Sequence, residues 1–295
     1  MKAASKKYLD PNINTKSKII DDSFKLIKNN IPLPASIEIS NSGVCNRECS
    51  FCPRSDPEYK DVNEFISDQL HEKIFKELSD YNYKGMLIYS GFCEPLLKKD
   101  IYKDIKIARK YLPQAHIEII TNGDVLNSTR IKKLFESGLS QLLISVYDGD
   151  EDFKKFNNMC EKSNLKKSQY VIRKRYLSEE QDFGITMSNR SGLLKNAEHA
   201  VQPLSKSLKA ACNYPSYTFF VDYNGDVLMC SHDWGKKKIL GNMNKDSFIN
   251  IWTSQVARLA RKKLNNSERT FSPCNKCDVV GNLIGNKHAQ AWSKV

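Results

Sequence analysis

Cysteine is the residue type in this chain whose spacing most directly suggests chemistry. Three of the nine cysteines, Cys45, Cys49 and Cys52, form a C-x3-C-x2-C pattern. Three thiolates on one loop can ligate three irons of a cubane iron–sulfur cluster and leave the fourth iron open for a chelating cofactor. A zinc site is the alternative, but zinc requires a fourth ligand, and no His or further Cys follows within this loop.

A second group of four cysteines lies near the C-terminus, at Cys212, Cys230, Cys274 and Cys277. Its spacing is C-x17-C followed, after 43 residues, by C-x2-C. Four thiolates can saturate one iron–sulfur cluster or one structural zinc ion, and the spacing leaves both open. A cluster with four protein ligands has no open iron, so its natural role is to carry electrons. The odd cysteine count, without a secretion signal, argues against a disulfide framework. An oxygen-sensitive cluster with an open iron implies a reducing cytoplasm.

The elements that must position these cysteines alternate between strands and helices. A helix is predicted at residues 17–29. Apolar runs and apolar–polar alternation predict strands at residues 34–40, 85–90, 116–121, 141–147, 169–176 and 183–188. Amphipathic patterns predict the intervening helices at residues 66–78, 100–110, 128–137 and 151–162. Roughly six strand–helix alternations imply right-handed crossovers and a parallel sheet.

Polar residues, glycine or proline follow successive predicted strands. In βα barrels the chemistry lies on the loops after the strands. We therefore expect one site built from these loops, which are the first cysteine group, Gly91–Pro95, Asn122-Gly123, Tyr147-Asp148 and Asn189-Arg190.

The alternation of predicted strands and helices ends at about residue 206. A hairpin is predicted to turn at Asn224-Gly225, a helix follows at residues 247–264, and the Cys-x-x-Cys comes next. This pattern predicts a small second domain around its own metal site. We divide the chain into an N-terminal arm and helix (1–33), a barrel (34–205) and an auxiliary domain (206–295).

The first cysteine pattern, after a first strand and with Phe51 before its last cysteine, resembles the radical S-adenosylmethionine (SAM) superfamily. The resemblance implies an α/β fold, a partial (β/α)6 TIM-like barrel with a small C-terminal α+β domain of the twitch or SPASM type. It also implies that the first three cysteines hold a SAM-binding [4Fe–4S] cluster. The residues expected to contact the cofactor are Phe51, Gly91, Glu94, Ser145 and Arg190.

The four C-terminal cysteines are similar in spacing to the auxiliary [4Fe–4S] site of SPASM and twitch members. Because no cysteine follows Cys277, one auxiliary cluster is expected. That is the arrangement of the butirosin-type twitch dehydrogenases, which oxidise an alcohol of an aminocyclitol.

The resemblance implies an oxidoreductase that reductively cleaves SAM to a 5′-deoxyadenosyl radical, which abstracts hydrogen from a small polar substrate. The main prediction is oxidation of a sugar or cyclitol alcohol, with the auxiliary cluster as electron acceptor and Arg190 and His232 as catalytic candidates. Peptide or protein side-chain modification, as in SPASM-type maturases, and redox-neutral epimerisation are the alternatives. A cluster-stabilised binding protein without turnover is a further alternative.

Composition limits the partners. The net charge is +12, but the basic residues are scattered and no nucleic-acid-reading motif accompanies them, so nucleic acid is not favoured. A phosphorylated or nucleotide-linked substrate stays open. No apolar run reaches 18 residues, so no membrane span is expected. The resemblance implies a flavodoxin- or ferredoxin-type reductant.

Overall fold

The computed structural model of the chain describes residues 12–177, 188–195 and 201–295. The strands are β1 Leu26–Ile27, β2 Ile31–Pro32, β3 Ser36–Ser40, β4 Ser42–Gly43, β5 Val62–Phe65, β6 Met86–Tyr89, β7 His116–Thr121, β8 Gln141–Val146, β9 Tyr170–Lys174, β10 Thr218–Asp222, β11 Asp226–Leu228 and β12 Ile239–Asn242. The α-helices are α1 Ile13–Asp22, α2 Asp68–Ser79, α3 Ile101–Tyr111, α4 Ser128–Glu136, α5 Asp150–Lys162, α6 Tyr214–Tyr217, α7 Phe248–Trp252, α8 Gln255–Asn265 and α9 Asn286–Trp292. The strand predicted at 183–188 lies almost wholly outside the described residues.

One sheet of eight strands dominates the fold, in the order β12-β11-β10-β3-β6-β7-β8-β9. Neighbouring strands from β10 to β9 are parallel, whereas β11 and β12 are antiparallel. The predicted parallel sheet is confirmed, and the hairpin between β10 and β11 turns at Asn224-Gly225 as expected. Gly225 has a φ of +87°, which suits glycine at such a turn.

Strand β10 lies directly beside β3, although Val221 comes 182 positions after Ile39, its register partner, in the sequence. Phe219 is opposite Ile37 and Val221 is opposite Ile39. All five residues of β10 are buried, as is expected of a strand covered on both faces. The hairpin assigned by sequence to the second domain therefore extends the barrel's own sheet.

Helices α2 to α5 cover the outer face of the sheet because each carries an apolar stripe. Helix α2 buries Leu70, Ile74, Phe75 and Leu78 against strands whose isoleucines and leucines are inaccessible to solvent. This packing fixes the ends of the strands, from which the candidate site is built.

Two helix predictions were wrong in their bounds. The single helix predicted at 247–264 is two helices, α7 and α8, because the Ser254 side chain accepts a hydrogen bond from Ala257 N and caps a new helix. The helix predicted at residues 17–29 corresponds to α1, which begins at Ile13 and ends at Asp22. A short β1–β2 hairpin follows it. Asn29 and Asn30 form its turn with φ values of 64° and 57°, in the left-handed region that asparagine tolerates.

A buried arginine organises the C-terminal helices. The Arg261 guanidinium lies 3.8 Å from the ring centroid of Trp252 and 4.0 Å from that of Trp292. Arg261 also donates to the carbonyl oxygens of Pro215 and Trp252. These contacts join α6, α7, α8 and α9 into one unit. None of the helices in the described ranges is long and apolar enough to cross a bilayer.

Helix α9 carries a buried histidine that makes stability depend on pH. His288 is fully buried, 5.0 Å from the Phe24 ring, and burial is the main cause that lowers its pKa to about 4. An unfolded histidine titrates near 6.5. Between pH 6.5 and 4 the unfolded chain therefore binds more protons, so the free energy of unfolding falls as the pH falls.

We expect the variant His288→Phe to lose about 3 kcal/mol of this pH-dependent change. Urea unfolding of the apoprotein at pH 7.5 and pH 4.5 measures it. His116 also has its pKa lowered, mainly by burial, and retains its own contribution in the variant. An equal fall in stability in the variant and the wild type would contradict the assignment to His288.

Candidate active site

The predicted site residues meet at one cavity of about 650 Å³. The predicted residues that line it are Cys45, Cys49, Phe51, Cys52, Gly91, Glu94, Ser145, Arg190 and His232. A smaller cavity of about 440 Å³, on the surface near β1 and α9, is lined by no cysteine, histidine or carboxylate. The chemistry-bearing side chains therefore single out the larger cavity.

The first cysteine loop follows β3 and β4. Cys52 N donates to Cys49 O at 2.8 Å and closes a turn. Burial is the main cause that raises the pKa of the Cys45 and Cys52 thiols, and it raises that of Cys49 to about 11. Three thiols that influence one another's pKa on one loop fit the donor set of a cluster with an open iron, because metal binding supplies the charge that deprotonates them.

An arginine within this loop fastens it to the barrel. Arg47 Nε donates to Asp124 at 2.6 Å and its Nη2 to Asp148 at 2.6 Å. Asp124 follows β7 and Asp148 follows β8, and Asn46 also donates to Asp124, at 2.7 Å. The two carboxylates raise the pKa of Arg47 further above its usual range. We call Arg47, Asp124 and Asp148 the loop clamp.

The turn after β6 requires glycine at its first position. Gly91 has a φ of +94°, and a Cβ there would lie 2.9 Å from the Phe220 ring and 3.0 Å from Ser40 Cβ. Any other residue would be strained and crowded. The same turn is joined to the cysteine loop, because Glu94 N donates to Val44 O at 3.0 Å.

The Glu94 carboxylate is 2% exposed and already has three hydrogen-bond donors. Thr121 Oγ1, Asn122 N and Leu96 N donate to it at 2.7, 2.8 and 3.0 Å. Burial raises the pKa of Glu94, and these bonds act in the opposite direction. The carboxylate therefore holds the turn against the end of β7, while its predicted contact with SAM stays a prediction.

Ser145 lies on β8 and faces the cavity beside an arginine. Arg173, opposite it in register on β9, donates from Nη2 to Ser145 Oγ at 2.8 Å. Phe51 packs on Tyr147, with ring centroids 5.3 Å apart. These contacts bring one wall of the cavity to the cysteine loop, while the cofactor contacts of Phe51 and Ser145 stay predictions.

A second wall is aromatic. Phe92 lies 4.7 Å from Trp234 and 4.9 Å from Phe220 between ring centroids, and Tyr59 and Cys52 pack against this cluster. The wall therefore connects the first cysteine loop to the segment that follows Cys230.

The Asn189–Gly192 turn connects the barrel to the Cys-x-x-Cys segment. Asn189 is fully buried, and its N donates to the Asp278 carboxylate at 2.9 Å and its Nδ2 to Lys276 O at 2.7 Å. Arg190 and Ser191 have φ values of 46° and 56°, so the turn holds two side chains in the left-handed region. Such strain is typical of residues whose position is fixed by their surroundings.

The charge of Arg190 acts on the first cysteine group and on the histidine that follows Cys230. It acts to lower the pKa of Cys52 and of His232. Burial, the larger cause, brings the pKa of His232 to about 3, so this imidazole is neutral at physiological pH. Its Nδ1 has no hydrogen-bond partner among the described residues. A neutral buried imidazole can accept a proton, but the catalytic roles of Arg190 and His232 stay predictions.

The four C-terminal thiols lie next to the cavity, with Cys230, Cys274 and Cys277 buried and Cys212 partly buried. Cys230 and Cys277 immediately precede Ser231 and Asp278, which line it. Burial raises the pKa of Cys230 well above its usual value and that of Cys274 to about 12, and the thiols reinforce one another. Four thiols fit a fully ligated cluster.

The two cysteine groups reach the cavity from different strands of the sheet. Cys45 follows β3 and β4, whereas Cys230 follows β11, which pairs antiparallel with β10. Because β10 lies beside β3, both groups are attached to the same sheet.

Sequence reasoning missed Glu38. It lies on β3 between two fully buried isoleucines, lines the cavity and accepts a hydrogen bond from Ser90 Oγ at 2.6 Å. A lone carboxylate within an apolar barrel strand is the signal that identifies it. Its charge also raises the pKa of Tyr214, after the larger effects of burial and Cys212.

We expect the variant Arg47→Met to weaken iron retention at the first cysteine group, because both carboxylates of the loop clamp lose their partner. Iron bound by this group should fall by at least half after gel filtration, while iron at the second group is unchanged. Lys154→Met, which removes an exposed pair with Glu151, is the matched control. Full iron content in Arg47→Met would contradict the role of the clamp.

Comparison with known proteins agrees with this geometry. Residues 39–187, half of the chain, match the family model of the radical SAM superfamily, and residues 212–278 match SPASM, an iron–sulfur cluster-binding domain. The chain is 28% identical over 245 residues to an S-adenosyl-L-methionine-dependent 2-deoxy-scyllo-inosamine dehydrogenase from Niallia circulans, covering 83% of this chain and 92% of that protein.

Two further proteins extend the comparison. A GTP 3′,8-cyclase from Clostridium perfringens is 31% identical over 144 residues, 47% of this chain and 42% of that enzyme. The crystal structure of BtrN in complex with AdoMet and 2-DOIA superimposes with a TM-score of 0.72 and 25% identity, covering 86% of this chain and 96% of that one. The chain therefore belongs to the radical SAM superfamily, with a SPASM iron–sulfur cluster-binding domain at residues 212–278.

Proposed function

We propose that this protein is a radical SAM dehydrogenase that oxidises a secondary alcohol of a small, amine-bearing cyclitol or sugar. The observation that carries the proposal is the single cavity, which is lined both by the three-thiol loop and by residues adjoining the four-thiol set. Similarity to the inosamine dehydrogenase along 83% of the chain supports the same class of reaction.

The residues of the cavity have distinct tasks in this proposal. The cluster that binds SAM is held by Cys45, Cys49 and Cys52. This cluster and SAM together supply a 5′-deoxyadenosyl radical that removes a hydrogen atom from the substrate. Glu94 keeps the Gly91 turn in place beside the loop. The packed rings of Phe51 and Tyr147 exclude water from the wall beside it.

Conversion of an alcohol to a ketone requires the loss of a proton and a second electron after the hydrogen atom. His232 is neutral and buried, and we propose it as the proton acceptor, with Arg190 holding the substrate oxygen. We assign the electron to the site held by the four C-terminal cysteines, which has no open ligand position.

The charges of the cavity indicate the substrate. Glu38 offers a carboxylate to an ammonium group. Arg173, Arg175 and Arg190 also line the cavity, so a phosphorylated or nucleotide-linked substrate has cationic partners as well. We propose a cytoplasmic setting with a flavodoxin- or ferredoxin-type reductant, because a cluster with an open iron requires strongly reducing surroundings.

Anaerobic turnover tests the function. The reconstituted enzyme is incubated with SAM, a flavodoxin- or ferredoxin-type reductant and an aminocyclitol deuterated at the reacting carbon. We expect a ketone and deuterated 5′-deoxyadenosine in equal amounts. The Cys212→Ala/Cys230→Ala variant should still cleave SAM but lose ketone formation. An inverted alcohol in place of the ketone would instead establish an epimerase, and SAM cleavage with peptides alone would establish a maturase.

We expect Glu38→Gln to raise KM for an amine-bearing substrate by about 10- to 100-fold, because a charge-assisted hydrogen bond contributes roughly 1.5–3 kcal/mol. An analogue with hydroxyl in place of the amine should be affected little. Steady-state kinetics with both substrates measure the difference. Glu136→Gln, an exposed carboxylate on α4, is the control, and an equal loss for both substrates would refute amine recognition by Glu38.

A further inference from the structure

A buried cation lies beside the four C-terminal thiols. Arg269 is only 2% exposed. Its Nε donates to Ala210 O at 2.8 Å, its Nη2 to Ala211 O at 2.9 Å and its Nη1 to Val279 O at 2.6 Å. All three nitrogens of the guanidinium are thus bonded to backbone carbonyl oxygens.

These bonds join the two ends of the four-thiol set. Ala210 and Ala211 immediately precede Cys212, and Val279 lies two residues after Cys277. The planar guanidinium therefore fixes the chain that enters the first cysteine relative to the chain that leaves the last. A lysine has no such fork and cannot reproduce all three bonds.

Among the described residues, the charge of Arg269 has no carboxylate partner. Arg269 forms no ion pair with any carboxylate in the described parts of the chain. Instead, it acts to lower the pKa of Cys212 and of Cys274, against the larger effect of burial. A buried cation is costly unless an anion lies near, and the thiolates of the cysteine set are the anions within reach.

We propose that Arg269 is the counter-cation of the auxiliary iron–sulfur site, and that its charge raises the reduction potential of that site. A cluster with four thiolate ligands is anionic and gains a further negative charge on reduction, and a fixed cation in a low-dielectric interior favours the reduced form. The role in accepting a substrate electron rests on the proposed function, but the effect on the potential does not. Arg269 is a positioning residue and touches no substrate.

Asp233 is the acidic group that acts in the opposite direction. It raises the pKa of Cys274, but its carboxylate accepts hydrogen bonds from Lys237 N at 3.0 Å and Lys238 N at 2.8 Å. These bonds hold the Asp233 charge in place within the Cys230 loop. Arg269 and Asp233 therefore act on Cys274 in opposite directions, and removal of Arg269 leaves the effect of Asp233 in place.

The experiment uses the full chain with Cys45, Cys49 and Cys52 replaced by alanine, so that only the auxiliary cluster is loaded. EPR-monitored redox titration without substrate gives the potential, and iron analysis gives the occupancy. We expect Arg269→Met to lower the equilibrium constant for reduction at least tenfold, which is 59 mV for a one-electron couple. Arg269→Lys, which keeps the charge, should shift it by less than half as much in millivolts.

Arg261→Met is the matched control. Arg261 is 1% exposed and also donates to backbone carbonyl oxygens, but it is not among the charges that shift the pKa of Cys212, Cys230 or Cys274. Its variant should retain iron and an unchanged potential. An unchanged potential in Arg269→Met, or an equal shift in Arg261→Met, would overturn the proposal.

Loss of iron from the Arg269 variants also tests the proposal. If Arg269→Met binds no iron but Arg269→Lys retains both iron and potential, the charge is the required feature and the proposal stands. If Arg269→Met and Arg269→Lys both lose iron while Arg261→Met retains it, Arg269 serves only to hold the two chain segments together through its hydrogen bonds. The proposal then fails. Because no substrate is used, failure of the substrate assignment does not affect either result.

Discussion

The parallel pairing of β10 with β3 is the interaction on which the rest of the site depends. β3 leads into the loop that holds Cys45, and the return of the chain through β11 leads to Cys230. Without this pairing the C-terminal hairpin would have no fixed relation to the barrel, and the two cysteine groups would share no cavity. A pairing between residues so far apart in sequence is costly in chain entropy, and the complete burial of β10 provides the compensating apolar contact.

Buried polar groups make the cavity rigid. Glu94 joins the Gly91 turn to the end of β7, and Asn189 joins the last described barrel loop to the Cys-x-x-Cys segment. Each such group must keep its partners because an unsatisfied buried donor or acceptor costs about 1–3 kcal/mol. The walls around both thiol groups are consequently held in place by hydrogen bonds within the protein itself.

Periodicity predicted local elements well and non-local contacts poorly. The strand β7 begins and ends where the alternation of its residues indicates, since that signal lies wholly within the strand. The break at Ser254 was missed because one capping hydrogen bond outweighed an otherwise continuous helical pattern. The position of β10 beside β3 was missed because a strand's own sequence does not specify its neighbour.

In the candidate site, too, the features that are local in sequence were predicted and the non-local contacts were not. Cysteine spacing identified both thiol groups, since ligands on one loop are local in sequence. Glu38 and Arg269 were not identified, because the role of a charged residue on a strand or in a connecting segment depends on which residues folding places around it. Arg190 was identified from a local turn motif, and its position near Cys52 and His232 follows from the bonds of Asn189.

The aromatic wall makes part of this protein optically observable. The chain has three tryptophans, and Trp252 and Trp292 are held against Arg261 in the C-terminal helices. Trp234 alone among them lines the cavity, where it packs on Phe92. Emission from Trp234 is therefore the component that occupation of the cavity will quench or shift, so intrinsic fluorescence reports ligand entry without an added label.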